Sequence, residues 1–430
     1  MWNVDKGQIR DLDGRSVILR GANVAGAHKQ KPYLGSFEAK DYARLKTDWG
    51  FDAIRLLVIW AGLEPQKDQY DEGYLDEIEK RVSWAHDADL LVVVDLHQDV
   101  FGEGFSVGDG APRWACDEAK YAAFQPKTPW FLSYLDPGVL DCFERFWTDD
   151  ALRGHVVEGW RRLAKRLAKW DNVIGFDPLN EPHWGRYAIL GFEPDRLAPF
   201  YEDVTKVVRA EAPQWLVFAE PSSSRNIGYP TQLTKFSFDR VVYSPHAYDN
   251  DAESGSGFDA THRDAMTKKI GDLRAEADAL GAALWIGEYG GMPGTPGIQP
   301  YMDAVLDAAG AAAAGNTYWA YDLDDAGYSF LKADRTEKKD LVDAITRPYP
   351  MRVAGDLLSY SWDDAGNTTT ISFAPNPEIK SPTTIAVPLR AAPNGVDVDC
   401  GGCTVDSTPG LIRLMSPPPG EKATVILRAK

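Results

Sequence analysis

Glu181 stands in Asn180-Glu181-Pro182 and Glu288 in Gly287-Glu288-Tyr289-Gly290, each at the end of a run rich in apolar residues. Two carboxyls that meet in one cleft can cut an acetal if their protonation differs. One delivers a proton to the departing oxygen, and the other attacks the carbon as an anion. Residues suited to support such a pair end similar runs, His97 and Asp99, His246 and Tyr248, and Trp319, while Arg55 lies within one, in Ile54-Arg55-Leu56, and Lys29 in the segment after the first run. Each has a plainer reading when taken alone. Asn-Glu-Pro also marks helix termini, Arg55 suits a structural ion pair, the two histidines suit a packed core, and Trp319 suits a barrel interior. Glu220, just before a proline, is a rival carboxylate. No His, Asp or Cys spacing suggests a catalytic metal, and a two-glutamate mechanism requires no cofactor.

Positioning these residues together is the task of the elements beneath them. Residues 1–347 alternate β-branched runs with amphipathic stretches, the pattern of a parallel sheet with helices outside. Strands are expected at 17–24, 53–58, 90–95, 173–178, 215–220, 241–245, 283–288 and 317–321. Helices are expected at 38–49, 74–88, 154–169, 197–211, 260–280 and 298–314. Eight strands with intervening helices predict an α/β fold, a closed (β/α)8 TIM barrel. The residues named above that end runs then lie at C-terminal strand ends, and those ends converge on one face. A hairpin around Asp13-Gly14 is expected to plug one end of the barrel. Residues 348–430 change character, with short runs at 368–374, 383–389, 411–415 and 423–427 that predict a C-terminal antiparallel β-sandwich domain.

With these motifs in this order, the chain resembles glycoside hydrolase family 5. The segments Asp95-Leu96-His97-Gln98-Asp99-Val100-Phe101 and Gly110-Ala111-Pro112-x-Trp114-Ala115 resemble its endoglycoceramidase branch, which also carries a C-terminal β-sandwich. The resemblance implies a retaining β-glycosidase with Glu181 as general acid/base and Glu288 as nucleophile. It implies that Arg55 keeps Glu288 ionised, Asn180 binds the sugar 2-hydroxyl, and Tyr248 donates to the nucleophile. His97 and His246 would be neutral hydrogen-bonders, Trp319 a platform under the sugar, and Lys29 and Asp99 grips on its hydroxyls. The expected substrate is a glycosphingolipid cut between glycan and ceramide. The alternatives are glucosylceramide, a steryl glucoside or a β-glucan, and, outside the enzymes, a carbohydrate-binding protein.

Composition bounds the partners. A net charge of −18 repels phosphate backbones, which argues against nucleic acid and against a bare anionic membrane. Transient contact with lipid micelles or membranes remains compatible with a glycolipid substrate, and a monomer is expected. The segment 100–148 is long for a connection and rich in aromatics, so Phe101, Phe105, Trp114, Tyr121, Phe124, Trp130, Phe131 and Tyr134 either line an apolar channel or pack on the barrel. Cys116 with Cys142, and Cys400 with Cys403, are expected as disulfides, which favours a secreted protein over a cytoplasmic one. No basic and apolar leader opens the sequence as given.

Overall fold

The structure, a computed structural model, describes residues 1–25, 28–292, 297–363, 367–416 and 420–430. Strands Arg20–Val24, Ala53–Ile59, Leu91–His97, Val173–Asp177, Leu216–Ala219, Val241–Tyr243, Ala283–Tyr289 and Gly315–Tyr321 close into a parallel eight-stranded barrel. Helices cover its outer face, so the strands are buried on both sides and read as nearly continuous apolar runs. Ala53–Ile59 and Ala283–Tyr289 are buried at every position. Side chains alternate between faces with period two. Ala53 and Val93 therefore sit in the barrel interior near the floor, and Arg55, Asp95 and His97 follow on the same side towards the top. The polar residues are the upper end of the inward stripe.

The helices obey local rules. Asp71 caps the helix Glu72–Asp87 and Asp149 caps Asp150–Leu167, each side chain accepting a backbone N–H of the first turn. Gly281 ends Arg263–Leu280 in the left-handed conformation. Segment 100–148 is itself folded, with two 3-10 turns and the helices Glu118–Ala123 and Pro137–Thr148, and Cys116–Cys142 bridges it.

The tail forms two antiparallel sheets. One has four strands, and the other has seven, of which three come from the N-terminus. Ser16 and Val17 pair with Val353 and Arg352, so the first barrel strand begins at Arg20 rather than at residue 17. The expected hairpin does two jobs. Trp2, Ile9 and Val17 pack against Ala53, Val93, Leu216 and Trp285 as the barrel floor, while their backbone extends the tail's sheet. The tail also contacts the barrel side. Gly310 of the helix Ile298–Ala311 lies so close to Tyr360 that an added Cβ would come within 2.1 Å of its carbonyl oxygen, and Tyr360 donates to the Ala314 carbonyl at 3.0 Å. Strands Tyr349–Val353, Gly355–Asp363, Val396–Asp399 and Val405–Thr408 were not expected. The last two are four-residue edge strands; Val405–Thr408 lacks apolar alternation, whereas Val396–Asp399 alternates Val and Asp over a run too short to stand out from the surrounding turns. Cys400 and Cys403 are bonded to each other. Among the described residues, no helix is long and apolar enough to cross a membrane.

Candidate active site

Arg55 is fully buried and meets four carboxylates at the top of the barrel. Its guanidinium lies 2.8 Å from Glu288 Oε1, 2.7 Å from Glu220 Oε1, 2.9 Å from Asp95 Oδ1 and 3.0 Å from Asp177 Oδ2. It also donates to Asn23 at 3.2 Å and to Asn180 Oδ1 at 2.9 Å. One cation cannot balance four anions in a dry interior. Burial and the neighbours Glu220 and Asp95 push Asp177 far above the usual carboxylate range, towards its protonated form, against the pull of Arg55. Burial would raise Glu220 too, but His246 and Arg55 pull it down to about 2.

Glu181 enters from the loop after the fourth strand with a left-handed backbone, φ 41°. That conformation is costly for a non-glycine residue and is held here by three hydrogen bonds to two neighbours. Its N–H donates to Glu220 Oε2 at 2.8 Å, and Gln98 donates to the carbonyls of Asn180 and Glu181 at 3.0 and 3.2 Å. Across the cleft, Tyr248 donates to Glu288 Oε2 at 2.8 Å. His246 Nδ1 sits between the two glutamates, 2.7 Å from Glu181 Oε1 and 3.4 Å from Glu288 Oε2. Oxygens of Glu181 and Glu288 lie within 4.8 Å of each other. Retaining glycosidases hold their carboxyls about 5–5.5 Å apart, whereas inverting ones need about 6.5–9.5 Å to admit a water.

The family model for cellulase (glycosyl hydrolase family 5) matches residues 11–325, and the model for the family 5 C-terminal domain matches residues 347–425. The chain belongs to glycosyl hydrolase family 5. It is a glycoside hydrolase. Endoglycoceramidase I of Rhodococcus hoagii (strain 103S) is 26% identical over 92% of this chain and 82% of its own. Endo-glycoceramidase II from Rhodococcus sp., solved with ganglioside GM3, is 30% identical, with a TM-score of 0.88 over 98% of this chain and 99% of that one. The same protein solved as a lactosyl-enzyme intermediate superposes with a TM-score of 0.86, at 30% identity and the same coverage.

In this family 5 hydrolase, all ten residues singled out in the sequence lie at one barrel face. Nine line a single cavity of about 820 Å3, and Arg55 lies beneath it. Lys29 pairs with Asp99, stands 3.9 Å from Asp109, and lies 4.4 Å from the centroid of the Trp319 ring. Trp319 is stacked on His97 at 5.0 Å and 13°. His97 Nδ1 meets Asp95 at 2.8 Å. The expectation of neutral histidines does not hold. Burial and Lys29 push His97 down, but Asp95 and Asp99 overcome both and bring it to about 9. His246 would likewise be lowered by burial, but Glu220 and Glu288 lift it well above its ordinary value. The surrounding carboxylates thus favour the protonated form of both rings. Arg55 donates to Glu288 and favours its ionised form, as expected, but burial works against it. Burial raises Glu288, His246 and Arg55 lower it, Glu181 raises it, and the net displacement is upward.

Several residues were missed. Asp95 and Asp177 were detectable as lone carboxylates inside apolar strands. Asp109 is brought beside Asp99 by a two-residue β-bridge, which no local pattern announces. It is raised to about 7, chiefly by burial and by Asp99 against the pull of Lys29. Asn226, in the loop after the fifth strand, donates to Glu181 Oε1 at 2.7 Å. The aromatic segment divides. Phe101, Phe105, Tyr121 and Phe124 are buried packing, and Trp114 packs against the core. Tyr134 lines the cavity but donates its hydroxyl to Asp99 at 3.0 Å, so its role there is polar. Trp130 and Phe131, at 40% and 38% exposure, form the apolar lip with Leu132 and Leu135, and Ile227 lines the same cavity. The cavity is thus polar at its base and apolar at its mouth.

Proposed function

We propose that this hydrolase is a retaining β-glycosidase that cleaves the β-glucosidic bond between glycan and ceramide in glycosphingolipids. The observation that carries the reading is the split chemistry of one cavity, with two close carboxyls at a polar base and an exposed apolar lip at Trp130, Phe131, Leu132 and Leu135. A lipid glycoside has the same division. The names of the Rhodococcus relatives, and the ganglioside bound in one of them, support it.

In the first step, ionised Glu288 attacks the anomeric carbon while protonated Glu181 delivers its proton to the ceramide oxygen. Ceramide leaves as an alcohol, and the sugar stays as an ester of Glu288. In the second step, water attacks the same carbon, Glu181 takes its proton, and Glu288 departs as a carboxylate. Asn180, whose Oδ1 is engaged by Arg55, has its amide directed by the Gln98 carbonyl and donates to the 2-hydroxyl. Lys29, Asp99 and His97 hold the remaining hydroxyls over Trp319, and Tyr248 steadies the nucleophile. The two closed disulfides favour secretion, and the apolar lip favours transient contact of a monomer with micelles or membranes. The test is the ratio of kcat/KM on a GM1-type ganglioside, glucosylceramide, steryl glucoside and cellotetraose. The glycosphingolipids should lead, and a tenfold advantage for cellotetraose would make the protein a β-glucan hydrolase instead.

A further inference from the structure

We propose that Asn226 is a positioning residue for Glu181: it fixes which oxygen carries the catalytic proton, and its grip tightens when a lipid aglycone covers the mouth. This rests on the acid role assigned to Glu181 above. Among the described residues, both side-chain donors that reach the Glu181 carboxyl end on Oε1, Asn226 Nδ2 at 2.7 Å and His246 Nδ1 at 2.7 Å. An oxygen that already accepts two hydrogen bonds is the carbonyl-like one of a carboxylic acid. The proton is therefore directed to Oε2. Without Asn226, the carboxyl can turn and present the proton on the wrong oxygen.

The loop that carries Asn226 is built to hold it still. Asn226 follows the 3-10 turn Ser223–Arg225, and its N–H donates to the Ser223 carbonyl at 3.1 Å. Ser223 N–H is tied to the carbonyl of Pro182, next to Glu181, at 2.9 Å. Buried Glu193 staples both ends of the loop, accepting from Ser222 N–H at 2.7 Å, the Thr231 hydroxyl at 2.7 Å and Leu233 N–H at 2.9 Å. The next residue after Asn226 is Ile227, 65% exposed and lining the cavity mouth. In the free protein the Asn226 amide is itself exposed, and a wet hydrogen bond holds weakly. Alkyl chains laid on Ile227 exclude that water, and the same bond then acts in a low-dielectric setting where it is stronger. The loop thereby links aglycone occupancy to the readiness of the acid.

The test compares Asn226→Ala and the near-isosteric Asn226→Leu with the parent on three glycosides of the same sugar: ceramide, methyl and 2,4-dinitrophenyl. Ceramide needs protonation and covers the loop, methyl needs protonation alone, and dinitrophenyl needs neither. Both variants should lose about tenfold in kcat/KM, which reports the first step, on the ceramide glycoside, less on the methyl glycoside and least on the dinitrophenyl one. KM for the lipid should move less than kcat. A loop that had merely collapsed would raise the lipid KM instead and spare the leaving-group order. Parental kcat/KM on the lipid in Asn226→Leu, or an equal loss on all three glycosides, overturns the proposal. If the parent cleaves no glycolipid, the substrate reading fails on its own, and the methyl to dinitrophenyl comparison still decides whether Asn226 positions the acid.

Discussion

Truncating Trp130 should weaken catalysis on lipid glycosides and leave small aryl glucosides nearly as they are. Trp130 opens the 3-10 turn Trp130–Leu135 at the cavity lip and is 40% exposed. A tryptophan offers about 250 Å2 at most, so about 100 Å2 is available to an alkyl chain. At about 25 cal/mol per Å2, covering that area stabilises the complex by about 2.5 kcal/mol as an upper bound. Imperfect contact and the ordering of flexible chains reduce it to about 1–2 kcal/mol, which is roughly 5–30-fold in kcat/KM. Phe105→Ala is the matched contrast. Phe105 is 1% exposed and packs on Tyr121 and Phe124 at 4.9 and 5.0 Å, so its loss opens a cavity in the protein rather than in the complex. It should lower stability by about 3–5 kcal/mol, seen in denaturant melts, without a selective effect on lipid substrates. The assay is kcat/KM for glucosylceramide in mixed micelles beside that for a p-nitrophenyl glucoside, for both variants. An equal fall on both substrates in Trp130→Ala, or a lipid-selective fall in Phe105→Ala, refutes the reasoning.

Glu288→Gln should abolish turnover on every substrate, and a 2-fluoro glycoside should label Glu288 in the parent enzyme by peptide mass; a label on Glu220 overturns the assignment. Glu181→Ala should cost about 10²–10⁴-fold on ceramide glycosides but little in the first step on dinitrophenyl glycosides, with azide restoring turnover on the latter; uniform loss without azide rescue removes Glu181 from the acid role. Because Glu288 must be ionised to attack and burial raises it, activity should fall as pH drops through a limb above the ordinary carboxylate value of 4.5; a kcat/KM profile with its acid limb at or below that value contradicts the burial argument. Arg55→Met leaves the buried carboxylates without their shared cation and should destabilise the fold by about 3–5 kcal/mol, read from the shift in denaturation midpoint.

The barrel was legible because its strands are buried on both faces and therefore announce themselves as apolar runs, each stopped by a residue that does not belong in a core. That same break exposed the site, since His97, Glu181 and Glu288 are polar residues at or near strand tops, and Arg55 interrupts an otherwise apolar strand. What stayed hidden depends on contacts between segments distant in the chain. Asn226 lies in a loop without periodicity, and only its approach to Glu181 gives it meaning. The charge states of His97 and His246 follow from which carboxylates surround them, and a sequence shows the members of such a cluster but not their distances. The division of the aromatic segment between packing and lip was equally unreadable, because Phe105 and Trp130 differ only in which way the folded segment turns them.

The N-terminal strands have a consequence for how the molecule can be cut. A fragment ending before Tyr349 would keep the barrel and the pairing of Ser16 and Val17 with Arg10 and Ile9, but would strip them of Val353 and Arg352, leaving an open strand edge directly beneath the barrel floor. Such an edge is a template for another chain. Expression of the catalytic portion alone should therefore yield aggregates rather than a smaller soluble enzyme. A library that shuffles tails among relatives would have to carry the first seventeen residues with the tail. The heritable module is two pieces of chain joined in space, and the recombination point lies at neither visible change in composition.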